Sequence, residues 1–212
     1  MIRNKEEYLY YLEADRIALG EKRKKPHMIS IYESDIIWKF QRLLRKAEYL
    51  HNCRSTGIHK IYYKFTQYRL FRAQVKTGFS IPMNVFGPGM SIAHLGPIVI
   101  NGFARVGKNC RIHPFTTIGM DGRSDEVATI GDNVYLSNGC KIIGNITICD
   151  NVMIAAGAVV VKSIFEEHSV YGGVPAKKIS DSGNPFPMER RGADMLLLRK
   201  NVYDCVIDKK NN

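Results

Sequence analysis

Two histidines carry the clearest chemistry in this chain of 212 residues. Imidazole can take up and return a proton near neutral pH, which makes it the usual general base. His94 stands six residues before Ile100, where a regular series of aliphatic positions begins and where another aliphatic is due. A titratable ring there costs desolvation unless it is hydrogen-bonded. An enzyme has a reason to keep it, and a plain scaffold does not. His113 follows nineteen residues later, directly after Ile112. The polar stretch from Met120 to Val127 adds Asp121, Arg123, Asp125 and Glu126, candidates for contacting a substrate.

The elements that must position these groups are set by a period of six. From Ile100, steps of six meet Val106, Ile112, Ile118, Ser124, Ile130, Leu136, Ile142, Ile148, Ile154 and Val160, all but Ser124 branched aliphatics. A helix repeats at 3.6 residues and a simple strand at two, so a sustained period of six predicts a mainly β fold, a parallel β-helix in which each hexapeptide forms one side of a coil. Small or apolar residues two positions earlier (Ala104, Cys110, Thr116, Ala128, Val134, Cys140, Val152, Ala158) complete the inward stack. No coil buries its face alone, so the array stabilises itself by stacking. A coil of three hexapeptides takes eighteen residues, which places His94 and His113 near one edge of adjacent coils. The break at Ser124 predicts a loop leaving the coil.

Ahead of the coil, residues 1–78 read as a helical region. Asn4 and Glu7 form a capping-box pattern with Gly20 as a stop. Ser34 or Asp35 opens a second helix with the stripe Ile36, Ile37, Phe40, Leu43, Leu44 and Ala47. A third helix, 58–76, mixes aromatic and basic residues; it can lie on an anionic membrane surface as a peripheral contact, or pack on the first coil or a neighbouring subunit and cover an open strand edge. Residues 79–180 form the β-helix. Residues 181–212 are a C-terminal extension with a linker to Pro187 and a short helix over 189–207.

The net charge is +11, concentrated before residue 80 and near Lys177, Arg190 and Arg191. That suits an anionic ligand or surface, and no nucleic-acid motif accompanies it. Five scattered cysteines without a CxxC pair read as reduced thiols. The charged start of the chain lacks the apolar core of a signal peptide, and no apolar run is long enough to span a membrane; the expectation is a cytoplasmic protein, with the inner membrane face as a further option. A metal hydratase would need three histidines on neighbouring coils. Only His94 and His113 lie suitably, so no metal is expected.

The repeat resembles the hexapeptide-repeat acyltransferases, and the stretch Ala93-His94-Leu95-Gly96-Pro97-Ile98-Val99-Ile100-Asn101 is similar to the entry of their serine acetyltransferase branch, which reads Asp-His-x-x-Gly-Ile-Val-Val-Gly. Lys141 to Ile146, Ala155 to Val160 and Gly172-Gly173-Val174-Pro175-Ala176-Lys177 are similar as well, so the resemblance covers about 75–180. It implies a left-handed coil, although the rule for β-strand crossovers would favour the right hand. It also implies a homotrimer, acetyl-CoA as co-substrate, and a coenzyme groove between subunits lined by Gly139, Ala156, Val161, Lys162, Gly173, Pro175, Ala176 and Lys177. His94 would be the general base and His113 an assistant in proton handling or acceptor contact.

Departures from that branch shape the expected acceptor. The Asp before the histidine is Ala93. The carboxylate fifteen residues upstream, which orients the base, falls at Phe79. The Arg-His pair of the loop falls at Glu126 and Val127. A site for a charged amino acid loses several kcal/mol without its ion partners. The sequence therefore points to the relatives associated with capsule or exopolysaccharide synthesis and to a sugar or polysaccharide hydroxyl as acceptor. The alternatives are a serine O-acetyltransferase of cysteine biosynthesis and a non-catalytic trimeric β-helix scaffold.

Overall fold

The computed structural model describes residues 1–54, 57–123 and 125–198. The coil is three-sided. Numbered along the chain, the first face stacks β1 (Phe79–Ser80), β3 (Ile98–Ile100), β6 (Thr117–Gly119), β9 (Lys141–Ile143) and β12 (Val159–Val160). The second stacks β4 (Arg105–Val106), β7 (Thr129–Ile130) and β10 (Thr147–Ile148). The third stacks β2 (Ser91–Ile92), β5 (Arg111–Ile112), β8 (Tyr135–Leu136), β11 (Met153–Ile154) and β13 (Val170–Gly172), and closes with β14 (Lys177–Ser180). Every pairing is parallel except the terminal β13–β14.

All ten aliphatics of the six-residue series are buried, as are the eight smaller residues two positions before them. The period survives the loop for a simple reason. Lys141 pairs with Val159 eighteen residues on, whereas Thr117 pairs with Lys141 across twenty-four. The insertion is one hexapeptide long, so the phase is unchanged. At the corner between the second and third faces, Asn109, Asn133 and Asn151 take positive φ and link side chain to side chain, Asn109 donating to Asn133 at 2.9 Å and Asn133 to Asn151 at 3.2 Å. Asparagine tolerates this backbone better than other non-glycine residues.

Three helices cap the first coils: α1 (Lys5–Leu19), α2 (Glu33–Cys53) and α3 (Ile58–Thr77). The Asn4 cap forms, accepting the Glu7 N–H at 2.8 Å, and Gly20 ends α1 at φ 73°. α2 begins at Glu33, one turn-position earlier than Ser34 or Asp35 suggested. α3 buries Tyr63, Thr66, Leu70 and Thr77 and leaves Ile61, Phe65, Tyr68 and Phe71 exposed.

A buried charge network fastens the cap to the coil. The Arg45 guanidinium, fully buried, pairs with Asp15 at 2.8 Å and Glu48 at 3.1 Å and donates to the carbonyls of Phe86 and Gly87. Asp15 also accepts the N–H groups of Gly89 and Met90, both at 2.9 Å. Burial pushes the Asp15 carboxyl above its usual range while Arg45 and these donors pull it back; Arg45 itself is pushed up and stays charged. Beside it, Gln41 of α2 donates to the Met90 carbonyl at 2.7 Å and accepts the Ile92 N–H at 3.2 Å.

The C-terminal extension is a strap. A 3₁₀ turn at Met188–Arg190 leads into a helix over 192–198, in place of the single helix over 189–207; the rest of that span lies outside the described residues. Ala193 donates to Asn109 at 2.8 Å, and Asp194 pairs with Lys108 at 3.0 Å. Removing Arg45 would leave Asp15 and Glu48 buried without their cation. Arg45→Met is expected to cost about 3–5 kcal/mol of stability, measured by urea unfolding; a loss below about 1 kcal/mol would contradict this account of the network.

Candidate active site

The corner between the third and first faces runs down the molecule as a column of turns. Hydrogen bonds step from coil to coil along it: Phe115 N–H to Pro97, Gly139 N–H to Pro114 at 2.9 Å, and Gly157 N–H to Asn138 at 2.9 Å. His94, His113, Gly139, Ala156, Gly173, Pro175 and Ala176 all fall on this corner, each just beyond a strand of the third face. The His94 and His113 rings are 6.2 Å apart, and Tyr135 continues the row 5.0 Å from His113.

His94 is exposed, and its Nδ1 faces the Glu33 carboxylate at 3.4 Å. The other oxygen of Glu33 accepts the Leu95 N–H. Glu33 is the first residue of α2, so the helix that Gln41 and Arg45 dock onto the coil delivers a carboxylate to the histidine from sixty residues upstream. A carboxylate on Nδ1 favours the proton there and leaves the Nε2 lone pair free to act as base. Bonds of this kind are often long without substrate. Position 79, where the family resemblance puts the orienting carboxylate, is Phe, and nothing local in the sequence marks Glu33 for that role. Phe79 is fully buried and packs edge-on against Phe40 at 5.0 Å, as part of the core.

His113 is of a different character. Burial, and then the nearby Arg111 and His94, push its pKa from 6.5 down to about 4, and its buried Nε2 has no hydrogen-bond partner among the described residues. It is neutral at pH 7.

The loop residues lie elsewhere. Asp121, Arg123, Asp125 and Glu126 are exposed at the corner between the first and second faces, where Asp121 accepts the Arg123 N–H at 2.9 Å and Glu126 accepts from Asn145. Val161 and Lys162 sit on that same corner, after β12. Lys177 opens β14 and is exposed; Lys178 is engaged by Glu166 and Asp181. Within one chain, then, the candidate residues divide between two corners. No group of three or more His, Cys, Asp or Glu side chains among the described residues could hold a metal ion, and no described helix is long and apolar enough to cross a membrane.

A third set of residues gathers beside His94. A pocket of about 150 Å³ is lined by His94, Glu33, Glu21, Ser34, Arg111 and Arg190, among others. Arg111 projects from β5 and Arg190 from the strap, and both guanidiniums lie over the Phe186 ring, at 5.0 and 5.4 Å.

Residues 128–162 match the family model described as bacterial transferase hexapeptide (six repeats). The matched stretch runs from β7 to just past β12 of the coil. The chain is 34% identical over 143 residues to a serine acetyltransferase of Staphylococcus xylosus, covering 60% of this chain and 66% of that one. It is 35% identical over 114 residues to a serine acetyltransferase of Synechococcus elongatus, covering 52% and 46%. Among solved structures, serine acetyltransferase of Brucella abortus in complex with coenzyme A superposes with a TM-score of 0.63 at 25% identity, over 85% of this chain and 70% of that one. The chain thus spans about a third to two thirds of the length of the curated relatives it matches.

These relatives correct the expected acceptor. They are serine acetyltransferases, not capsule or exopolysaccharide enzymes, so the sugar or polysaccharide reading is overturned. That reading rested on missing ion partners at Phe79 and in the 120–127 loop, whereas Glu33 of α2 faces His94 and Arg111 of β5 and Arg190 of the strap line the pocket beside it.

The depressed His113 pKa has a measurable consequence. Below pH 6.5 the unfolded chain protonates this imidazole and the folded chain does not, so its contribution to stability is complete above 6.5 and is lost as pH falls toward about 4. Unfolding of wild type and His113→Asn at pH 7 and pH 5 is expected to show a smaller acid-side loss in the variant. Equal losses would contradict burial of a neutral ring.

Proposed function

We propose that the chain is an acetyl-CoA-dependent serine O-acetyltransferase working by direct attack. The observation that carries this reading is the His94–Glu33 pair, placed on the corner shared with Gly139, Ala156 and Gly173. The names of the relatives support serine as the acceptor and coenzyme A as the carrier.

His94 Nε2 removes the proton of the serine hydroxyl as its oxygen attacks the thioester carbonyl. The tetrahedral intermediate collapses with cleavage of the C–S bond, and the proton on His94 passes to the leaving thiolate. The products are O-acetylserine and coenzyme A. Glu33 stabilises the transient imidazolium, and backbone N–H groups of the corner stabilise the oxyanion. Lys162 and Lys177 would offer charge to the coenzyme phosphates. His113, neutral, contacts the acceptor and does not serve as the base.

The protein acts as a homotrimer on this reading, with a left-handed coil. A neighbouring copy would bring Val161, Lys162 and the 120–127 loop of its own first-to-second corner against the His94 corner, completing a coenzyme groove that one chain leaves divided.

Thiol release from acetyl-CoA with L-serine tests the proposal. Wild type is expected to turn over; His94→Ala to lose about 10²–10⁴-fold in kcat, the usual worth of a general base. Glu33→Gln is expected to lower kcat by about 10²-fold with the KM for acetyl-CoA unchanged, and Glu33→Asp to recover part of the loss. An active His94→Ala enzyme would overturn the mechanism.

A further inference from the structure

We propose that Arg111 and Arg190 bind the carboxylate of the amino-acid acceptor and that Glu21 faces its ammonium group, forming a zwitterion subsite beside His94. The inference rests on the serine reading above and names the groups that would make it work.

The pocket has the right scale. Its volume of about 150 Å³ corresponds to roughly five waters at ~30 Å³ each, the size of a small amino acid rather than of a disaccharide. His94 and both arginines line it together, so an acceptor held by the arginines lies next to the base.

The arginines are placed for an anion and lack one. Among the described residues, neither guanidinium has a carboxylate within ion-pair distance. Arg111 donates from Nη1 to Ser91 Oγ at 2.7 Å, and Arg190 donates from Nε to the Ala18 carbonyl at 3.0 Å. Each guanidinium has five N–H donors, so most remain for a ligand. Both shifts run downward: burial and Arg190 lower Arg111, and burial lowers Arg190. Two like charges over one aromatic ring, partly removed from water, repel each other. A carboxylate offsets that repulsion and is the group a planar guanidinium grips best. Helix capping accounts for Arg190 Nε alone; it does not explain a second arginine on β5.

The opposite charge comes from α1's end. Glu21 follows the Gly20 cap, its side chain is 13% exposed, and its nearest cation is Arg23 at a slack 3.5 Å. It acts on Arg190 electrostatically without forming an ion pair. The pocket is therefore lined by two cations and by the carboxylates of Glu21 and Glu33, groups that match the two charges of an α-amino acid. None of these residues occupies a position where the family resemblance places an ion partner, since Arg111 is an outward strand position and Arg190 belongs to the strap.

The test is steady-state kinetics on the full chain with L-serine and with ethanolamine, which keeps the hydroxyl and ammonium and lacks the carboxylate. Wild type is expected to prefer serine strongly in kcat/KM. Arg111→Gln and Arg190→Gln are each expected to raise the serine KM by about 10- to 100-fold, to reduce the serine-to-ethanolamine preference by a similar factor, and to leave the acetyl-CoA KM unchanged. Because Arg190 also caps α1, Arg190→Lys serves as the second variant at that position and is expected to retain most of the preference; thermal unfolding checks that each variant folds. Serine turnover with unchanged KM and preference in folded Arg111→Gln and Arg190→Gln would overturn the subsite while leaving the serine reading intact. Wild type inactive on serine would overturn that reading, and the subsite with it.

Discussion

The buried Arg45–Asp15–Glu48 network is the constraint from which the site follows. It joins α1, α2 and the turn that starts the coil through one guanidinium with no access to solvent. An ion pair so deep adds little net stability over well-packed apolar side chains, but it tolerates little misplacement, since a broken partner leaves an uncompensated charge. Directional contacts therefore fix α2 against the Phe86–Met90 turn, and Gln41 extends the same docking to Ile92. His94 is two residues beyond Ile92, and Glu33 is at the near end of the same helix. The pairing of acid and base is thus a consequence of how the helical cap seats on the coil.

The coil contributes something different. Stacked turns repeat the backbone at a fixed spacing, so one corner offers a graded series of positions from His94 to Ala176. The cap and the strap bring charged side chains to that corner, Glu33 from α2, Glu21 from beyond α1 and Arg190 from the strap. Position 93 is Ala, and the charged groups beside His94 come from other elements converging on the same corner.

Much of this was legible in the sequence because repeat packing is periodic. The aliphatic series predicted the coil, its length and the adjacency of His94 and His113, and Asn4 and Gly20 marked the ends of α1. The loop at Ser124 was visible as a break, and its length of one hexapeptide kept the later residues in phase. What escaped was everything created by tertiary docking. Nothing in the sequence singles out Glu33, Gln41, Arg45, Arg111 or Arg190, because nothing local distinguishes a polar group that will be buried or aimed at a pocket. The expectation of a sugar acceptor rested on aligned positions, and charges brought in by tertiary docking leave no trace at such positions.

The cap, through Glu33, sets which nitrogen of the neutral His94 ring carries the proton. This is tested most directly by the ring-nitrogen NMR shifts of His94 in protein labelled with ¹⁵N-histidine, assigned by comparison with His94→Gln and recorded where the imidazole is neutral. The account predicts a proton on Nδ1 and a bare Nε2 in wild type, shifting to a mixture of tautomers in Glu33→Gln. A proton on Nε2 in wild type, or a tautomer indifferent to Glu33, would contradict it.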